Sequence, residues 1–496
     1  MPFLTDYPPL KTIQEIARGR KIAVHLVGGF LRDYLLGIET KDFDFAVERS
    51  ALQLARAFAR RVKGTFILLD GKRGCARVVL RIPQDYAPQS SHSPHAQGGK
   101  GSQGEVYNFD FSDFRAKTFH QDLAHRDFTI NTLSVDLTSL GASTTISQAW
   151  VDLRHGLADI KKRRIRRTTS QVFKEDPLRM MRAFSLKALL GFSIERQTLA
   201  QIRREKDLII RVSCERIREE LFKILSSDKA AATLKAMDKI GLLEKIIPQI
   251  KVMDRCAQGT YHHLDVWPHS LETVAQMENV FQQIRGDRET EVYLDEVLGG
   301  NHSRRSVMKL AALLHDIGKP DTRKKENGRV SFHGHEHVGK NVVRQIARML
   351  KLSLRERYAL EDMVRWHLRP GYLSNFSQPS ERAVYRYFRD TQAEAASILL
   401  LSLADQKATR GPATTRKDQE HHETVCFSLV KKYFKKKNEK PFERLINGHD
   451  LIKTLKLKPS PDFGRILREV EEHQTLGTIK TKKQAVDLAR KIAGRL

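Results

Sequence analysis

Residues 24–48 read VHLVGGFLRDYLLGIETKDFDFAVE: an apolar strand ending in Gly28-Gly29, a helix-like turn, and the acidic pair of Asp42-Phe43-Asp44. On a strand, residues i and i+2 project from one face roughly 7 Å apart, so Asp42 and Asp44 share a side. Two carboxylates so placed suit divalent cations, and two ions about 3.5–4 Å apart form a clamp for displacement at phosphorus. The glycine pair lets the backbone approach a bulky anion, and the helix that follows offers free N–H groups to it. Together these features describe a metal-bound nucleoside triphosphate. The bland alternative is a strand–turn–helix with an acidic surface. A DxD alone favours that alternative, and its pairing with an upstream Gly-Gly makes the two readings about equal.

Around this stretch, residues 22–27, 42–48, 64–70, 76–82 and 106–111 are predicted as short strands with helical patterns between the early ones, an α/β beginning. The run YAPQSSHSPHAQGGKGSQGE (86–105) cannot bury apolar surface and is expected to be a mobile loop between two strands. From about residue 170 the pattern turns helical, as in DPLRMMRAFSLKALLGF, ERIREELFKIL and VMKLAALLHDI. A second polar run, RGDRETEVYLDEVLGGNHSRR (285–305), reads as an insertion between two helices. No repeat of solenoid period is present. A chain of 496 residues exceeds the size of one core, so several domains are expected.

Lys and Arg number 87 against 59 Asp and Glu, a formal charge of +28 spread along the chain. Such a balance points to a polyanionic partner, because neutralised phosphates release counterions. No segment approaches 18 consecutive apolar residues, which argues against a membrane. The four cysteines show no CxxC spacing, which argues against a disulfide framework and a cysteine zinc site. The N-terminus lacks a secretory pattern, so a cytoplasmic location is expected.

A third carboxylate would complete the acidic site. YNFDFSDFR (107–115) offers Asp110 on an alternating stretch, and Asp113 at its end reads as a turn residue. HRDFTINTLSVDL (125–137), VDLRHGLADIKKRRIR (151–166) and FKEDPLRMMRAF (173–184) follow. In this order the motifs resemble the class II tRNA nucleotidyltransferase and bacterial poly(A) polymerase family, over about residues 22–225. The resemblance implies an α/β polymerase-β-like nucleotidyltransferase head followed by an all-α neck and body. It implies Asp42, Asp44 and Asp110 as the catalytic, Mg²⁺-binding carboxylates, Gly28, Gly29 and Arg32 around the triphosphate, and Arg126 and Asp127 at the nucleotide sugar. The family usually writes RRDFTIN, and His125 replaces its first arginine here.

Read from the residues alone, Asp176-Pro177 is a helix start, with Asp as the cap. The resemblance implies instead that Asp176 and Arg179 read the incoming base, with Glu175 orienting Arg179. Carboxylate and guanidinium match the amino group and ring acceptor that cytosine and adenine share. CTP, ATP and tRNA are therefore the expected partners, and no obligate protein partner is evident.

Downstream, residues 261–405 contain YHHLDVWPHSL, LLHDIGKP, SFHGHEHVG, VRWHLRP and SLADQKA. An adjacent His-Asp within an apolar helical pattern needs buried partners, and with further histidines it suits imidazole–carboxylate metal coordination. The pattern resembles the HD phosphohydrolase superfamily. That resemblance implies a divalent metal held by His269, His315, Asp316, His335, His367 and Asp405, with Lys319 as a phosphate contact. Within FHGHEH the ligand is ambiguous by two positions.

The expected organisation is a head over 1–145, a helical neck over 146–255, an HD domain over 256–412 and a helical tail contacting RNA over 413–496. The expected function is addition of C and A nucleotides to the tRNA 3′ end by two-metal phosphoryl transfer, with an appended hydrolase. CC-only or A-only addition and poly(A) synthesis are rivals within the class. An HD phosphohydrolase with a non-catalytic RNA-binding head is the rival outside it.

Overall fold

The computed structural model describes residues 7–82, 105–141, 149–259, 263–327, 329–411, 414–439, 443–456 and 458–495. The chain divides into two compact units, Met1–Val212 and Ser213–Leu496, and the break falls inside the expected neck.

In the first unit, α1 (Pro8–Arg20) leads into β1 (Val24–Val27), α2 (Gly29–Leu35), β2 (Asp42–Val47), α3 (Ala51–Val62), β3 (Thr65–Asp70), β4 (Cys75–Ile82) and β5 (Glu105–Asp113). After α4 (Phe119–Ala124) come β6 (Ser134–Asp136), β7 (Trp150–Val151) and, further on, α5 (Arg179–Leu190). The strands form one seven-stranded mixed sheet in the order β3-β4-β5-β2-β1-β6-β7. The five expected strands all form, and β5 extends beyond 106–111 at both ends. The segments that form β6 and β7, three and two residues long, are too short for any periodicity to announce. The run 86–105, apart from Glu105 at the start of β5, lies outside the described residues.

Two strands carry the logic of this sheet. β2 and β5 are parallel neighbours that pair Asp42 with Asn108, Phe43 with Phe109, Asp44 with Asp110 and Phe45 with Phe111. Phe43 stacks on Phe109 at 4.9 Å and Phe45 on Phe111 at 4.8 Å, while Phe58 of α3 meets Phe109 edge-on at 5.1 Å. Each phenyl ring taken from water is worth about 1.5–3 kcal/mol, so the apolar face under α3 fixes the register. The acidic residues are thereby driven to the opposite face. Asp113 accepts the Ala51 N–H at 2.8 Å at the start of α3, in keeping with a turn role.

The second unit begins with α6 (Cys214–Ser226) and continues through α7 (Val266–Gln283), α8 (Arg304–Leu314), α9 (His335–Met349), α10 (Leu354–Trp366) and α11 (Ala395–Ala408). The sequence of α11, AASILLLSLADQKA, is apolar nearly all round until Asp405, and this helix is almost wholly buried. The run 285–305 is not merely an insertion. It forms a helix, Arg288–Asp295, and a hairpin, Val297–Gly299 with His302–Ser303. Its charges are used internally: Arg304 is buried, pairs with Glu296 at 2.6 Å and with Glu394, and lies 4.1 Å over the Tyr293 ring. The tail folds as α12 (Gly448–Leu455), α13 (Asp462–Thr475) and α14 (Lys482–Ala493) around its own apolar core, including Leu451, Ile466, Val470 and Ala489. All four cysteines are free. Among the described residues, no helix is long and apolar enough to cross a membrane.

Candidate active sites

In the first unit, the turn between β1 and α2 faces the acidic side of β2 and β5. Gly28 has φ +84°, and a Cβ there would come within 3.0 Å of Asp44 Oδ2 and 3.4 Å of Arg126 Nη1. Glycine is thus required twice, for its backbone conformation and for the space it leaves between a carboxylate and a guanidinium. Gly29 opens α2. Asp44 is half-buried and Asp42 exposed. Burial raises the Asp44 pKa, and Asp110 and Asp42 push in the same direction against Arg126 and Arg182. Arg126 is half-buried, and its enclosed Nε makes no hydrogen bond to the described residues. An anion brought to Gly28 would lie beside the Nη1 end of this guanidinium, and cations on the carboxylates would relieve their mutual repulsion. Hard carboxylate oxygens on one sheet face therefore fit Mg²⁺-type ions.

The other expected residues are more engaged than their motifs suggest. Asp110 lies beside Asp44 as expected but is closed by a two-point ion pair from Arg77, and Asp42 accepts from Asn108 Nδ2 at 2.8 Å. Arg32 makes a fork to Asp33 at 2.8 Å and donates to Asn131 at 2.6 Å. Asp127 is buried and accepts from the Phe128 N–H at 2.8 Å, Asn131 at 3.0 Å and Arg182 Nε at 2.8 Å. Burial opposes its charge, but Arg182 and these hydrogen bonds bring the pKa down from 3.8 to about 2. Arg182, three residues past Arg179, was not singled out from the sequence; the arginine spacing on one helix was the available signal.

A depressed carboxylate stabilises the fold above its unfolded pKa and loses that contribution as pH falls through the folded value. Asp127→Asn is therefore expected to be less stable than the parent by about 2 kcal/mol at pH 6. Denaturant titrations should show the gap closing between about pH 4 and pH 2.

At the segment expected to read the base, Asp176 accepts from the Leu178 N–H at 3.2 Å, a turn-capping bond one turn ahead of α5. Arg179 is buried and donates to Glu175 and to the carbonyls of Val172 and His125. Glu175 also meets His125 Nδ1 at 3.3 Å. The residue that departs from the family pattern thus closes a ring with Glu175 and Arg179. Residues 161–167 read KKRRIRR, and this basic run is partly consumed within the fold, since Arg164 and Arg166 pair with buried Asp159.

In the second unit, the end of α8 meets the start of α9 at two glycines. A Cβ on Gly318 would lie 2.2 Å from the His335 carbonyl and 2.5 Å from Gly339 N, so only glycine permits this approach. The approach brings His335 to His315 and Asp316, with α10 adding His367, α7 His269 and α11 Asp405. His269, His315 and Asp316 offer ligand atoms within 4.8 Å of one another, and so do Asp316, His335 and His367; all are buried. Asp316 belongs to both groups. Its Oδ2 lies 3.2 Å from His315 Nε2 and its Oδ1 3.4 Å from His335 Nε2. Asp405 Oδ1 is 2.9 Å from His269 Nε2 and 3.6 Å from His315 Nε2. All six expected ligands are thus assembled, and His333 and His337 are exposed.

The ring orientations point to a cation. His315, His335 and His367 each direct Nδ1 to the carbonyl three residues earlier, on Ala312, Phe332 and Val364, at 2.8–2.9 Å. The proton is thereby held on Nδ1 and the Nε2 lone pairs face inward. His335 Nε2 and His367 Nε2 stand 3.3 Å apart. Two nitrogens about 2.0–2.1 Å from one tetrahedral ion are separated by about 3.3 Å, so the donor set fits a metal. His315 Nε2 makes no hydrogen bond. Against burial, Asp316 and Asp405 on their own favour a proton on His315 Nε2 and raise its pKa to about 10, a proton that a bound cation would replace; burial and the neighbouring imidazoles lower His367 to about 3. Asp316, despite burial, is held well below the carboxylate range by His315 and Lys319. Lys319 Nζ lies 2.6 Å from both Asp316 Oδ2 and Gln258 Oε1.

Residues 24–166 match the family model of the poly(A) polymerase head domain, and 191–253 that of a probable RNA- and SrmB-binding site of polymerase A. Residues 266–410 match the HD domain, and 428–489 match tRNA nucleotidyltransferase domain 2. An A-adding tRNA nucleotidyltransferase of Deinococcus radiodurans is 29% identical over 471 residues, covering 93% of each chain. A CC-adding tRNA nucleotidyltransferase of Thermus thermophilus is 28% identical over 468 residues, 92% of this chain and 91% of that one. Among solved structures, a CCA-adding enzyme in an apo form superimposes with a TM-score of 0.62 at 20% identity, over 96% of this chain and 91% of that one. The Thermotoga maritima CCA-adding enzyme complexed with tRNA gives 0.58 at 19% identity, over 98% and 94%.

Proposed function

We propose that this chain, which belongs to the class II tRNA nucleotidyltransferase and bacterial poly(A) polymerase family and carries an HD domain behind its head, adds C and A nucleotides from CTP and ATP to the 3′ end of tRNA. In this reaction a 3′-oxygen bonds to the α-phosphorus as the bond to pyrophosphate breaks. The observation that carries this reading is the cradle at Gly28, set between Asp44 and the half-buried guanidinium of Arg126.

Asp42, Asp44 and Asp110 would hold Mg²⁺. Bound there, the metal supplies Lewis acidity at the attacking and leaving oxygens. Gly28 and Gly29 admit the triphosphate, and Arg126 donates to it. Asp127, fastened to Arg182 and Asn131, keeps the neighbouring Arg126 at the sugar and phosphate. Asp176 accepts the exocyclic amino group of C or A, and Arg179, anchored by Glu175 and the His125 carbonyl, donates to the ring acceptor beside it. On this reading the protein works in the cytosol, where its basic surface meets tRNA.

The HD residues His269, His315, Asp316, His335, His367 and Asp405 would hold divalent metal for hydrolysis of a phosphomonoester or 2′,3′-cyclic phosphate. Lys319, buried beside Asp316, binds the phosphoryl oxygens.

A narrower specificity is the second reading, because the two relatives described above match over nearly their whole length and are A-adding and CC-adding. Labelled CTP or ATP, Mg²⁺ and tRNAs ending before CCA, after C or after CC separate the alternatives. A full CCA activity extends all three acceptors to CCA. Extension by C alone or A alone gives the narrower one, and repeated A on any RNA end gives poly(A) synthesis. Transfer to none of them overturns the reading.

A further inference from the structure

Arg77 reaches from β4 to close Asp110 on the neighbouring strand, with Nε to Oδ1 and Nη2 to Oδ2 both at 2.7 Å. The antiparallel register places Arg77 opposite Asp110, and the parallel register places Asp110 beside Asp44. The guanidinium therefore lies on the acidic face of the sheet, where the hydrogen bonds it donates to Asp110 and the charges of Asp110, Asp42 and Asp44 favour its cationic form. A fork-to-fork pair occupies both oxygens of a carboxylate. The pair takes one lone pair from each Asp110 oxygen and sets a cation where a divalent ion would sit, so Arg77 and the ion compete for this carboxylate.

Resting on the nucleotidyl-transfer reading above, we propose that Arg77 is the internal counter-ion of this carboxylate face: it holds Asp110 until nucleotide and metal enter together, then moves to the triphosphate. Three features suit this exchange. Among the described residues, Arg77 makes its side-chain hydrogen bonds to Asp110 alone. Its side chain keeps 38% of its surface exposed and has room to turn. Asp42, the other outlying carboxylate, is also held by a neutral strand neighbour, Asn108, and not by a second cation. A triphosphate repays the guanidinium for the carboxylate it leaves, so metal alone meets resistance that metal with nucleotide does not. Metal and nucleotide affinities are then coupled, each raising the other by one factor.

Mn²⁺ binding to the full-length protein, read by electron paramagnetic resonance, tests this. The head's share is the part that Asp42→Ala removes. Without nucleotide, Arg77→Gln is expected to tighten that share about tenfold, within the usual range of coupling between sites. A non-hydrolysable CTP analogue, corrected for the Mn²⁺ it binds in solution, should enhance Mn²⁺ binding in the parent protein and scarcely at all in Arg77→Gln. Arg77→Lys, which keeps the charge without the fork, should fall between them. Unchanged or weaker Mn²⁺ binding in a folded Arg77→Gln protein makes the pair a fixed strut and overturns the proposal. If Asp42→Ala removes no Mn²⁺ binding, the head's metal assignment fails, and the counter-ion role fails with it.

Discussion

Asp42→Ala reduces nucleotide transfer to every tRNA acceptor by at least about 10³-fold, the scale on which lost electrostatic stabilisation of a transition state is felt. Asp44→Ala is expected to match it. The two residues differ in cost to the fold: Asp42 is exposed and its carboxylate accepts from Asn108, whereas Asp44 is half-buried between Gly28 and Arg126. Asp42→Ala therefore leaves the phenylalanine layer beneath it intact and should melt with the parent protein. Hydrolysis of p-nitrophenyl phosphate or a 2′,3′-cyclic nucleotide by the HD site should be unchanged. Transfer that survives Asp42→Ala would remove the DxD from the reaction. Loss of both activities together would indicate a damaged fold.

His315→Ala is the complementary experiment and has the second large effect. His315 stands where Asp316 and Asp405 both converge, and its Nε2 faces them. Its loss should weaken metal binding by more than about 100-fold, beyond the penalty usual for residues that only orient a ligand. Metal-dependent phosphate release should fall with it while tRNA extension continues. Metal content after dialysis gives a readout independent of turnover. Retention of metal by His315→Ala would show that the shared group around Asp316 is not the binding site.

How much of this was legible follows from how local each signal is. The alternation DFDF and its echo NFDF show that each strand turns acids one way and phenyl rings the other, and the register between them follows from burying those rings. The clustering of the HD residues was legible for a similar reason: adjacent His and Asp in an apolar helix have few other uses. His335 was separable from His333 and His337 only once the start of α9 was fixed by its contact with Gly318. Arg77 was invisible because its partner lies 33 residues away, beyond a polar run that carries no periodic signal. The same holds for Arg304, whose charge reads as a solvated surface until Glu296 and Glu394 are seen to close on it. Asp176 kept its sequence ambiguity for a physical reason. A carboxylate at that turn can cap through the Leu178 N–H with one oxygen and still have lone pairs for a base.

The three imidazoles bound to the carbonyls of their own preceding turns have a consequence for how the HD centre is loaded. Each ring is anchored by the carbonyl three residues before it, within α8 for His315, within α10 for His367 and in the turn ahead of α9 for His335, so its orientation is set before any ion arrives. Little rotamer freedom remains to be lost on binding. If these residues hold a divalent ion as proposed, the centre is preorganised for it: chelation should empty it without unfolding the helices around it, and different divalent ions should exchange through the same cage. Selection among them then falls to ion size, ligand preference and supply, since the protein does not reshape itself around whichever ion it meets.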